Sequence, residues 1–166
     1  MICFGVMQSY DVATDAAAFQ KQSEEYLNGL IVLHAFYIPI ENSNPSLGAI
    51  VSSRRLFRNA KLCIDGQERD GVIVATDGTY KLHKGGWTLV DFGTYEAYYT
   101  RNDFAHRFVP IAYTFVQSES IQAYDRFFSD RVYQFFGVRL EVKFGSLDHA
   151  SCIATAFQMS WPEVQL

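Results

Sequence analysis

The sequence predicts one α/β domain built on a mixed sheet: a three-strand antiparallel meander, a crossover helix, and a fourth strand parallel to the first. Three observations carry this. Short β-branched or aromatic runs recur between residues 72 and 116 with only turn-scale gaps, a helical repeat follows over 118–137, and residues 139–144 then alternate charged with apolar side chains. Strands joined by tight turns pair antiparallel, whereas a helical return brings the next strand back parallel.

Taken in order, residues 13–29 read as a helix, with Thr14 or Asp15 at its start, Ala16 to Ala18 favouring it and Gly29 as its stop. Leu30 to Ile38 reads as extended, up to Pro39. The stretch Glu41 to Gly48, rich in Asn, Ser and Pro, has loop chemistry. It suggests a division into residues 1–50, a helix-strand extension without an assignable role, and residues 51–166, the core. Ser52 or Ser53 can cap a short helix through Arg54, Arg55, Leu56, Phe57 and Ala60, ending before the turn-rich residues 65–71.

From there the pattern sharpens. Val72 to Thr76 is an apolar, β-branched run that leads straight into Asp77, as a buried strand would. After Lys84-Gly85-Gly86, Trp87 to Tyr99 forms the second strand and Phe108 to Val116 the third. Ser118 can cap the crossover helix, whose apolar positions Ile121, Tyr124, Phe128, Val132 and Phe135 recur at three- and four-residue steps before Gly137. In the fourth strand Leu140, Val142 and Phe144 should face inward and Arg139, Glu141 and Lys143 outward. A last helix places Ile153, Ala154, Phe157 and Trp161 on one side and stops at Pro162.

Composition bounds the function. With 49% hydrophobic and 19% charged residues the chain is that of a folded domain, and the 14 Phe and 10 Tyr are accounted for by core use. A net charge of −4 argues against a self-sufficient nucleic-acid binder. Cys3, Cys63 and Cys152 are odd in number and far apart, so neither a disulfide framework nor a CxxC zinc site is expected, and a reducing compartment fits. No apolar run of about 18 residues and no secretory leader is visible, which predicts an intracellular protein without a membrane partner.

Two acids stand where chemistry could be done. Asp77 closes the first strand and Asp148 follows the fourth, so parallel neighbours would bring both carboxylates to one end of the sheet. Oxygen ligands of this kind suit Mg²⁺ or Mn²⁺, and paired ions can drive an in-line attack on a phosphodiester. Asp91 lies within the second strand, where it faces either the same site or solvent, and solvent is the favoured reading. His149 beside Asp148 reads as a helix-start surface residue, Arg54, Arg55, Arg58 and Lys61 as a solvated basic face, and Glu119 as a charge favouring a helix N-terminus.

At these residues the chain resembles a family. Asp77-Gly78-Thr79-Tyr80-Lys81 is similar to the first-aspartate signature of Mutator-like element transposases, which have the ribonuclease H-like fold. Phe108 to Ala112 is similar to their third-strand segment, and Ser118-Glu119-Ser120 with Tyr124, Phe127 and Phe128 to the opening of their helix. Asp148, Ala154, Ala156, Trp161 and Pro162 match the later aspartate, the alanine-bearing helix and its aromatic-proline end. The resemblance covers roughly residues 50–166.

What it implies is a DNA-cutting domain in which Asp77 and Asp148 are two catalytic, metal-holding acids of a DDE site using Mg²⁺ or Mn²⁺, with DNA as substrate and a nuclear location. This sequence departs from the pattern in two ways. Leu147 separates Ser146 from Asp148, and the chain ends at Leu166, before the third acid; Glu163 follows Pro162 and comes too early to serve. The expectation is therefore a truncated or degenerate transposase domain, inactive as it stands, with an unpaired edge on the fourth strand through which chains could associate. The alternative is a non-catalytic module that keeps the fold to bind protein or nucleic acid.

Overall fold

A computed structural model describes residues 24–39, 45–67, 69–79, 86–128, 140–147 and 151–166, with side chains left undescribed at 79 and 126–128. The helix read over 13–29 is seen only in its last turn, α1 (Glu24–Asn28), and its cap and first turns lie outside the described residues. Then come β1 (Ile31–Ile38), β2 (Ser46–Ser52), α2 (Arg54–Gln67), β3 (Val72–Thr79), β4 (Thr88–Tyr99) and β5 (Phe104–Val116). They are followed by α3 (Ile121–Phe128), β6 (Val142–Leu147) and α4 (Ser151–Ser160). All six strands belong to one mixed sheet in the order β1-β2-β5-β4-β3-β6.

The meander is as the sequence predicts. β3 pairs antiparallel with β4, and β4 antiparallel with β5, while β6 lies beside β3 and parallel to it. The fourth strand, however, occupies 142–147 rather than 139–144. Its register slips at the start, with Val72 opposite Val142 but Ile73 opposite Phe144, so Lys143 is passed over and the expected alternation breaks. Phe144, expected inside, is 38% exposed, whereas Leu140 and Val142 are buried.

A second difference lies upstream. Ser46 to Gly48, read as loop, begins strand β2, which pairs antiparallel with β1 on one side and β5 on the other. Residue 50 therefore falls inside a strand of the common sheet. The reason is packing: the Phe36 ring occupies the space above Gly48, 2.2 Å from where a Cβ would stand, so the glycine that reads as a turn former is a seat for an aromatic ring.

Helix starts follow capping chemistry. The Ser53 hydroxyl accepts the Leu56 N–H at 3.2 Å and starts α2, which runs on through Gly66 instead of stopping before residue 65. At α3 the cap is Ser120, accepting the Ala123 N–H at 3.2 Å, not Ser118. The Ser118 carbonyl accepts the Ser46 hydroxyl at 2.5 Å and the Gln117 N–H donates to Leu47, so the chain is tied to β2 for two residues more before it can coil. Residues 129–137, predicted to continue the helix, lie outside the described residues.

Helix α4 buries Ile153, Ala156 and Phe157, with Ala154 only half-buried. The Phe92 ring meets Phe157 edge-on at 6.5 Å and stacks on Trp161 at 6.2 Å, while the Trp161 Nε1 donates to the Leu140 carbonyl. This turns the chain back along β6. The Gln165 N–H donates to the Lys143 carbonyl at 2.9 Å and its carbonyl accepts the Gly145 N–H at 2.8 Å, a parallel bridge opposite Phe144. The edge of β6, expected to be unpaired, is thus covered at its centre by the chain's own last residues. Among the described residues no helix is long and apolar enough to cross a membrane.

Candidate functional site

Alternation along β4 sorts the two faces of the sheet. Phe92 meets α4, and Thr94 accepts the Gln67 side-chain amide at the end of α2, so these helices lie on one face. Asp91 points to the other. Direct cross-strand partners share a face, and Asp77, Asp91 and Tyr113 stand opposite one another on β3, β4 and β5.

Asp77 is exposed, but it does not close β3 as the sequence predicts: the strand runs on through Gly78 to Thr79, both paired with β4. Asp91 does not simply face solvent: it is half-buried, and its Oδ1 accepts the Asp77 N–H at 3.0 Å. The backbone of the candidate ligand is therefore held by a neighbouring carboxylate. Burial raises the Asp91 carboxyl above the ordinary aspartate range, the Asp77 N–H draws it back, and the Asp77 charge raises it again. Burial and then the Asp91 charge likewise raise the Tyr113 phenol. Sequence reasoning named Asp91 but favoured solvent for it, because an Asp inside a strand carries no signal of which face it takes; the pairing of Asp77 with Asp91 requires the register.

Asp148 and His149 lie outside the described residues. The nearest described pair is Thr76 opposite Leu147, the last rung of the parallel β3–β6 ladder. Glu119 stands at the same end of the sheet on the helix-bearing face: its Oε1 lies 3.5 Å from where a Cβ of Gly78 would be, and it accepts the Tyr124 hydroxyl at 3.0 Å. It stands just before the Ser120 cap, ahead of the first turn of α3. Glu163 is exposed in the turn after α4.

The basic side of α2 is used locally. Arg55 pairs with Glu24 and donates to Asn28, Lys61 pairs with Asp65, and Arg54 lies 4.0 Å over the Tyr26 ring. At the far end of β4 and β5, a groove of about 340 Å³ includes Asn59, Cys63, Glu96 and Arg107, the last two joined as an ion pair. Burial raises the Cys63 thiol, with Glu96 raising it further against Arg107, which keeps it from being an activated nucleophile. Cys63 and Cys152 are both free thiols, and Cys3 lies outside the described residues.

The donors on the Asp77 face are carboxylate oxygens, the chemistry a hard divalent ion takes. Among the described residues, no group of three His, Cys, Asp or Glu side chains is gathered closely enough to enclose an ion. Comparison with protein-family models, with curated proteins and with solved structures finds no match.

The sign of the Asp91 shift gives a test in metal-free buffer. Its folded value lies above the unfolded one, so its contribution to stability is fully present below the usual aspartate value of about 4 and is lost as pH rises through the raised value. Asp91→Asn removes the charge and keeps an oxygen to accept the Asp77 N–H. The variant should melt at a higher temperature than the parent at neutral pH, with the gap closing in acid; a lower melting temperature at pH 7 would contradict this account of Asp91.

Proposed function

We propose that this chain is a transposase-derived module of the ribonuclease H-like type, a partial or degenerate Mutator-like core whose Asp77 and Asp148 hold a single Mg²⁺ or Mn²⁺ weakly and whose DNA cleavage is lost. One observation carries it. β3 and β6 are parallel neighbours whose ladder ends at Thr76 opposite Leu147, and the next residues in sequence are Asp77 and Asp148.

The metal, when bound, supplies neutralisation of phosphodiester oxygens. Asp77 offers an exposed carboxylate just past the end of the β3–β6 ladder, and Asp91 fixes its backbone by accepting its N–H. That same bond occupies one Asp91 oxygen. Glu119 approaches from the opposite face of the sheet and accepts the Tyr124 hydroxyl, so it does not join Asp77 and Asp91 on their face. A displacement that must stabilise both attacking and leaving oxygens then lacks half of its ligands.

Calorimetric titration of the whole chain with Mn²⁺ tests the reading, run beside Asp77→Asn and Asp148→Asn, with nicking of supercoiled plasmid as a second readout. One weak site that each substitution abolishes, and no nicking, is the expected result. Binding that survives both substitutions would move the ion elsewhere. Nicking by the parent that an Asp77→Ala, Asp148→Ala double variant lacks would make this a working nuclease.

A further inference from the structure

The sheet ends at β6, bridged at its centre by Gln165, and at β1. β1 takes β2 on one side and stands at the end of the strand order, with no strand on its outer side among the described residues. Edge strands are ordinarily protected by lysine, by proline or by inward charges, because a row of unpaired N–H and C=O groups will pair with any suitable strand. β1, with the sequence IVLHAFYI, has no Lys, Arg, Asp, Glu or Pro. Val32 and Tyr37 are 41% and 61% exposed along it, and Leu30 just before it 75%.

We infer that this edge pairs antiparallel with β1 of a second copy of the chain, an inference independent of any metal chemistry. A self-pairing strand is the occupant favoured by composition, since an uncharged edge sets no like charges against each other when it meets itself. The geometry also selects a register. The ladder with β2 is irregular between Val32 and His34, which leaves His34 to Ile38 as the regular stretch. A twofold axis perpendicular to the sheet keeps each face continuous only if it lies midway between the two copies of one residue, and Phe36 is the residue that uses the whole stretch. Phe36 then meets Phe36 of the other copy on the helix-bearing side, His34 meets Ile38, and exposed Ala35 meets exposed Tyr37, small against large.

Such a contact uses only five residues from each copy, well short of the roughly 800 Å² per partner of a standard interface, so the dimer should be reversible and dependent on concentration. The test is light scattering behind size exclusion across a concentration series of the whole chain, with circular dichroism to confirm that each variant folds. Ala35→Lys with Tyr37→Lys sets two like-charged pairs across the axis and should weaken association by more than about tenfold. Ala35→Glu with Tyr37→Lys sets two opposite-charged pairs instead and should restore it. A parent that stays monomeric throughout, an association indifferent to the double lysine, or a failure of the Glu and Lys combination to restore it would each overturn the inference. Slow amide exchange at β1 in a strictly monomeric parent would assign the edge to another segment of the same chain.

Discussion

Phe157→Ala should cost about 3–5 kcal/mol, the range for emptying a fully buried aromatic site. Phe157 has no exposed surface, lies edge-on to Trp161 at 5.4 Å and to Phe92 at 6.5 Å, and closes over Gly145 of β6, where a Cβ would come within 2.9 Å of its ring. One side chain thus joins α4 to β4 and β6. A domain of this kind is stable by only about 5–15 kcal/mol, so the loss is a large share of the whole. Urea unfolding followed by tryptophan fluorescence, with Trp161 beside the new cavity, measures it. A change below about 1 kcal/mol would mean that α4 is not packed as described. The functional consequence is local, because β6 leads into Asp148 and α4 follows it.

How far the sequence foretold this arrangement differs from element to element. The meander was legible because its three runs are β-branched or aromatic, are bounded by turn residues, and pair with close neighbours in sequence. The parallel return of β6 beside β3 was legible too, from the length of the helical crossover alone. Its register was not. Gly145 and Ser146 fall beyond the strand read over 139–144, yet they stand opposite Val74 and Ala75, and only the slip past Lys143 brings them there. β2 was hidden for a similar reason: its role depends on Phe36 lying over Gly48, a tertiary contact that no local pattern records.

For the site, Asp77 stood out by its place at the end of an apolar strand and by a resemblance, whereas Asp91 did not, because cross-strand partnership is a property of two strands at once. Lys61, read as part of a solvated basic face, pairs instead with Asp65 one turn further along α2, because the helix runs on past the residues read as a turn. The Ser120 cap shows the limit of local pattern. Ser118 is equally suited by residue type, and the choice between them is made by Ser46, 72 positions away.

The face that carries Asp91 also carries Gly93, and Gly93→Ala should destabilise the domain by about 3 kcal/mol, at the upper end of what overpacking usually costs. A Cβ there would lie 2.4 Å from the Val109 carbonyl oxygen and 2.5 Å from the Phe108 ring. The two obstacles are unequal. A ring can turn aside, although Phe108 is partly held by its edge-on contact with Tyr95 at 5.9 Å. The carbonyl belongs to the backbone where β5 shifts register against β4, with Phe92 opposite Ala112 but Gly93 opposite Pro110, and it can retreat only by opening the ladder. Adding Phe108→Ala to Gly93→Ala should therefore recover little of the loss. Denaturant unfolding of the two single variants and the double compares these terms directly. Full recovery in the double variant would assign the clash to the ring; additive losses would assign it to the carbonyl, and with it the need for glycine two residues from Asp91.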